Sequence, residues 1–163
     1  MPQLALPEVH HVGIVVQNCL QAARSLSVLT GRASMPTFVD DYRDIEVAGV
    51  PTPFSLRLSF LDLGNVLLEL LEPLDDRSPH AHFLRHHGGG LHHLGFRVDD
   101  LACYDQHLRD EGLEQIVNAT IAPDASHWAY YGKDLHSGNV IELMEVGPAN
   151  DEFMARVAQT LRQ

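Results

Sequence analysis

The chain has 163 residues, 45% of them apolar and 20% charged, enough for one compact domain or two small modules sharing a core. A formal charge of −11 argues against nucleic acid as the main partner, because phosphate backbones need a local excess of Lys and Arg. Two cysteines, Cys19 and Cys103, exclude a disulfide framework or an all-cysteine zinc site, and no apolar run approaches the roughly 20 residues that cross a bilayer.

The first residues, MPQLALPEVHH, lack the basic start and continuous apolar stretch of a secretory signal, so a cytoplasmic protein without a membrane partner is expected. Residues 9–16 alternate as a strand, and 18–30 read as a helix with apolar positions at Leu20, Ala23, Leu26 and Val28. A short strand is expected near 33–39, then strands at 55–63 and 65–72 joined by a turn at Gly64-Asn65. Ser78-Pro79 has the form of an N-cap followed by a first-turn proline, opening a short helix to about Arg85. His86-His87-Gly88-Gly89-Gly90 reads as a flexible joint. A strand at 92–98 and a helix at 100–111, closed by Gly112, come next. Strands follow near 114–119 and 127–132, and at 138–146 after a Ser137-Gly138-Asn139 turn. The tail from Asn150 is helical in pattern and is expected to pack outside. Each cysteine opens a predicted helix and is assigned a packing role.

The pattern repeats. HHVGIVV at 10–16 returns as HHLGFRV at 92–98, and LLELLE at 67–72 returns as VIELME at 140–145. His11 and His93 are 82 residues apart and Glu69 and Glu142 are 73 apart, so the first copy carries nine extra residues, expected within the Asp- and Pro-rich segment Val39–Pro53. Each copy reads as strand, helix, three strands. The division is a first module at 8–75, a linker with a short helix at 76–89, a second module at 90–147 and a C-terminal helix at 148–163.

Alternation sorts the side chains of each strand onto two faces. Val12, Ile14 and Val16 share a face with His10; Leu94, Phe96 and Val98 share one with His92. These faces should meet helices, leaving His10 and His92 at the edge of the helix layer. The opposite faces carry His11, Gly13 and Val15, and His93, Gly95 and Arg97, and should line a cavity in which glycine leaves room for a ligand. Glu69 lies with Leu67 and Leu71, and Glu142 with Val140 and Met144. An unpaired carboxylate on such an apolar face costs several kcal/mol, so a cation is expected beside it. Glu72 and Glu145 face the other way, where solvation explains them. A lone strand histidine is usually a hydrogen-bonded core or edge residue, but here the same His-then-Glu pair recurs in both copies. Two imidazoles and two carboxylates form a four-ligand N/O set suited to Zn, Ni, Co, Mn or Fe. His80, His82, His86, His87, His107, His127 and His136 lack such a pattern and are assigned to solvated loops or helix faces.

The stretches HHVGIVV, LLELLEPLDDRSP at 67–79, GGGLHHLGFRVDDL at 89–101 and GNVIEL at 138–143 resemble the vicinal-oxygen-chelate superfamily, nearest its methylmalonyl-CoA epimerase group. The resemblance implies an α+β fold in which two βαβββ modules form an open, barrel-like mixed sheet with helices outside. It implies one divalent metal ion on His11, Glu69, His93 and Glu142, a small-molecule substrate and a homodimer. The implied chemistry is removal of a proton beside a metal-coordinated carbonyl, with Glu142 as the base. The epimerase group carries a second base on the third strand of the first module, but Phe54–Phe60 here holds no carboxylate; Asp44, Glu46 or Glu69 would have to replace it. Arg97 and Arg57 are candidates to anchor substrate, with Tyr130, flanked by Trp128 and Tyr131, shaping the wall. A glyoxalase-type lyase and a non-catalytic drug-binding resistance protein are the alternatives within the same family.

Overall fold

In the computed structural model, residues 5–121, 126–136 and 138–162 are described. Ser137 of the expected Ser137-Gly138-Asn139 turn lies outside them. The elements are β1 (Val9–Val15), α1 (Cys19–Thr30), β2 (Phe38–Tyr42), β3 (Ile45–Val47), β4 (Val50–Pro51), β5 (Phe54–Asp62), β6 (Leu67–Pro73) and α2 (Pro79–His87). They continue with β7 (Gly90–Val98), α3 (Leu101–Asp110), β8 (Glu114–Ile121), β9 (Ser126–Gly132), β10 (Val140–Glu145) and α4 (Pro148–Leu161). The ten strands make one mixed, curled half-barrel sheet in the order β2-β5-β6-β1-β7-β10-β9-β8-β3-β4.

The two copies meet at its centre. β1 runs parallel to β6, β7 runs parallel to β10, and β1 and β7 are antiparallel neighbours, so the two halves pair within one chain. Leu56, Leu58, Leu71, Trp128, Val140 and Met144 form the buried concave face. On the convex face, Ile14 and Val16 pack with Cys19, Ala23 and Leu70 under α1, while Phe96 and Val98 pack with Leu101 and Leu108 under α3.

Both crossover helices start in the same way. Asn18 and Asp100 cap them, accepting hydrogen bonds from Gln21 N (2.8 Å) and Ala102 N (3.0 Å). The second glutamate of each repeat then reaches the first helical amide: Glu72 accepts from Cys19 N at 2.8 Å and Glu145 from Leu101 N at 3.2 Å. These carboxylates are therefore anchors for the helix N-termini, where the backbone dipole favours negative charge, and not merely solvated groups. Cys19 is buried as expected; Cys103 is exposed, its thiol donating to Asp100 at 3.1 Å, so it has no packing role.

Two expectations need correction, and the inserted segment adds a hairpin of its own. The strand expected near 33–39 lies later, at β2, and Ser34 makes only an isolated bridge to Leu61. Within the inserted segment, β3 and β4 form a hairpin turning through Ala48 (φ 50°) and Gly49 (φ 74°), and β3 pairs with β8 of the other half. Finally, α4 does not pack outside. Its Phe153 meets Phe38 and Phe60 at ring distances of 6.1 and 5.8 Å, and Val157 is buried, so the helix lies against the concave side of the first half.

Candidate metal centre

Sheet register assembles the site from two rows. In one, Gly13 of β1 stands between Glu69 of β6 and His93 of β7; in the other, Gly95 of β7 stands between His11 of β1 and Glu142 of β10. The glycines are needed for close approach. A Cβ on Gly13 would fall 2.0 Å from Cε1 of His93, and one on Gly95 would fall 1.9 Å from Cε1 of His11. Each module's glycine therefore makes room for the other module's histidine ring, rather than for a ligand as the sequence suggested.

The four polar ends converge. His11 Nε2 lies 2.7 Å from Glu142 Oε2, 3.2 Å from His93 Nε2 and 3.5 Å from Glu69 Oε2. His93 Nε2 lies 3.2 Å from each of Glu69 Oε2 and Glu142 Oε2. His11, His93 and Glu142 are buried, and Glu69 is nearly so. Burial opposes charge on His93, but the adjoining Glu142 and Glu69 outweigh it and hold its pKa up at about 9. Burial also opposes charge on Glu142, and the two imidazoles overcome it, holding the carboxyl well below the usual range. The set fits a cation on two counts. Donor atoms bonded to one first-row ion at about 2.0–2.2 Å sit roughly 3 Å from one another, and two carboxylates buried together at 3.2 Å from the same imidazole nitrogen need a positive charge beside them. A His/Glu cluster that could hold a metal is thus present, as is a second, all-histidine group of His80, His92 and His93 that shares one member with it.

Glu69 and Glu142 open into a cavity of about 310 Å³ between the two halves and α4. Trp128 and Tyr130 line it, while Tyr131, expected beside them, points to the opposite face and bonds to Asp105 at 2.9 Å. The arginines expected there are elsewhere. Arg57 pairs with Glu72 at 3.0 Å on the convex side. Arg97 pairs with Asp151 of α4 in a separate, more open hollow of about 800 Å³ that it shares with His10. One side of α4 lines each space, so the helix partitions what parity alone would have joined. Asp44 lies outside the cavity, and Glu46 is exposed on the hairpin beside β8.

The sequence reading missed several groups. Asp40 and Tyr42 of β2 line the cavity wall of the first half, and burial, which dominates there, raises the Asp40 pKa while Tyr42 donates a hydrogen bond to it. Asn150, Phe153 and Arg156 reach the cavity from α4, and Arg156 is the cationic side chain among the described lining residues. His80 is not solvated. It is wholly buried, and its Nε2 lies 3.1 Å from the Tyr130 hydroxyl. His92 is buried too, with its ring 4.7 Å from that of His80 and 5.6 Å from Tyr130, so it stands on the concave side and not at the edge of the helices over the convex face. Aromatic residues Phe38 and Tyr42, on the same parity as Asp40, were the available signal for β2; the others depend on long-range docking.

Residues 10–132 match the family described as the Glyoxalase/Bleomycin resistance protein/Dioxygenase superfamily. The mitochondrial methylmalonyl-CoA epimerase of Bos taurus is 33% identical over 116 residues, 69% of this chain and 58% of that protein. The chain spans less than two thirds of the length of each curated epimerase it matches. The methylmalonyl-CoA epimerase structure from Mycobacterium tuberculosis superposes with a TM-score of 0.64 at 23% identity, covering 93% of this chain and 97% of that one. A methylmalonyl-CoA epimerase structure in complex with methylmalonyl-CoA and NH4+ gives 0.64 at 21% identity, covering 88% and 96%. At these identities the superpositions establish a shared fold. Among the described residues, no helix is long and apolar enough to cross a membrane.

Proposed function

This chain belongs to the glyoxalase/bleomycin resistance/dioxygenase superfamily, and on that premise we propose that it is a divalent-metal-dependent isomerase of the vicinal-oxygen-chelate type. In this reading it epimerises a carbon beside an acyl carbonyl, with a 2-substituted acyl thioester such as methylmalonyl-CoA as substrate. His11, Glu69, His93 and Glu142 would hold one ion, of Zn, Co, Ni, Mn or Fe. Such an ion supplies Lewis-acid stabilisation of charge on the substrate oxygen.

The observation that carries the reading is the placement of carboxyl groups on opposite walls of one cavity. Glu142 stands on the second half and Asp40 on the first, facing the same 310 Å³ space. Inverting a stereocentre needs a base on one face and an acid on the other. Glu142 removes the proton, and Asp40, whose burial favours its protonated form, returns one from the far side with Tyr42 holding its orientation. Asp40 thereby takes the place that the sequence reading left to Asp44, Glu46 or Glu69. Arg156, at the cavity edge, is positioned to meet an anionic substituent or carboxylate. Two free thiols accord with the cytoplasmic location we assign.

The test is hydrogen–deuterium exchange at C2 of resolved methylmalonyl-CoA, and of other 2-substituted acyl thioesters, by metal-loaded protein in heavy water. Wild type should exchange and racemise. Glu142→Gln should abolish both, and Asp40→Asn should suppress racemisation far more than exchange of one enantiomer. The absence of exchange with every thioester would sink the epimerase reading. A variant series sensitive at Glu69 and Glu142 but indifferent at Asp40 would instead favour the glyoxalase-type lyase, which uses the two symmetric glutamates.

A further inference from the structure

Both histidine doublets sit at β-bulges. Along the β1–β7 ladder, Val9 pairs with Phe96 and His11 with Gly95, so β1 spends one extra residue at His10. Gly13 then pairs with His93 and Ile14 with Leu91, so β7 spends one extra residue at His92. The two bulges are related by the same two-fold repeat as the site. A bulge re-aims a side chain that simple alternation would send to the opposite face, and here it does so twice. His10 Nδ1 comes to 3.1 Å from His11 Nδ1, and His92 Nδ1 to 3.0 Å from His93 Nδ1.

We propose that His10 and His92 are positioning residues: each accepts a hydrogen bond from Nδ1–H of the neighbouring histidine and so fixes the tautomer in which that neighbour offers its bare Nε2 to the ion. The inference rests on the metal-site reading but not on the identity of the substrate. Neutral imidazole carries one N–H and one lone pair. His11 and His93 turn Nε2 toward the centre, 3.2 Å apart, so once an ion takes both Nε2 lone pairs the proton of each neutral ring belongs on Nδ1. Among the described residues, the preceding histidine is the hydrogen-bond partner at that nitrogen. Metal-bound histidines ordinarily donate this second N–H to a carboxylate, a carbonyl or water, and such partners tune affinity by about 10–100-fold. Here a duplicated HH dipeptide performs the same task from within each strand. His92 is locked by burial against His80 and Phe83, with ring distances of 4.7 and 5.1 Å, whereas His10 is half-buried beside Arg97. The His92 contact is therefore the stiffer of the two.

Zinc affinity, read by competition against a chromophoric chelator, separates the possibilities without any substrate. His92→Phe should weaken zinc binding by about 10–100-fold, while His92→Asn, whose side-chain oxygen replaces the Nδ1 acceptor, should stay within about threefold of wild type. His10→Phe should show a smaller loss and His10→Asn the same recovery. Long-range 1H–15N spectra of the zinc-loaded protein should show protons on Nδ1 of His11 and His93 and bare Nδ1 atoms on His10 and His92. Wild-type affinity in a folded His92→Phe, or a proton found on His92 Nδ1, would overturn the proposal. Two zinc ions per chain, the second lost with His92, would overturn it as well, by assigning His80, His92 and His93 to a site of their own. Should His92→Phe not fold, the His10 pair and the spectra decide. Failure of thioester exchange with these results intact would count against the epimerase reading alone.

Discussion

Placing a single methyl group on Gly95 should dismantle the proposed metal centre while leaving the sheet in place. In Gly95→Ala the new Cβ would stand 1.9 Å from Cε1 of His11, and real Cβ contacts hardly ever fall below 3.0 Å. The ring must therefore retreat by about 1.1 Å, the difference between those two distances. Metal–ligand bonds tolerate displacements of roughly 0.2 Å, so His11 would cease to be a ligand. Its retreat would also break the 2.7 Å contact with Glu142. Overpacking a filled interior costs about 1–3 kcal/mol, so the fold should survive with a lowered melting point. Zinc or cobalt affinity should fall by at least the roughly 100-fold expected from disturbing a ligand's surroundings. Isothermal titration measures the affinity, and far-UV circular dichroism checks the fold. Gly13→Ala should behave alike, because its Cβ meets His93 at 2.0 Å. A folded Gly95→Ala protein with unchanged metal affinity would refute the crossed glycine–histidine arrangement, and with it the assignment of His11 as a ligand.

Chelator treatment should lower the melting temperature by roughly 5–10 °C relative to protein held at 100 times the metal Kd, since such saturation contributes about 2.7 kcal/mol. Glu145→Ala should lose about 1 kcal/mol in urea unfolding through the orphaned first amide of α3, without altering metal affinity. Asp40 has a folded-state pKa raised above 3.8, so its charged form costs stability at neutral pH and that cost fades as pH falls towards 3.8. Asp40→Asn should therefore melt higher than wild type at pH 7, with the gap closing in acid; a gap that widens in acid would contradict the sign. Because all four candidate ligands come from one chain, diluting the expected homodimer to monomer, followed by light scattering, should leave metal affinity unchanged.

Much of this molecule could be read from local pattern. A strand has a period of two, so His11, Gly13, Glu69 and Glu142 could be given a face before any neighbour was known, and the repeat put the same pairs in both halves. The helix cap at Ser78 was equally local, because an N-cap acts within its own first turn; Asn18 and Asp100, read as the first helical residues, cap their helices in the same way. What tertiary structure alone decided were events between strands or between elements. A bulge is a mismatch in count between two paired strands, so nothing in HHVGIVV by itself announces that His10 leaves its parity. His80 is buried only because α2 docks beside β7 and Tyr130. Arg97 obeys alternation yet is cut off from the cavity because α4 lies between them, and Asp40 reaches the cavity because β2 begins five residues later than its weak pattern suggested. Short-range sterics determined each element's faces; which faces met, and which charges were thereby buried together, was settled by packing across distant parts of the chain.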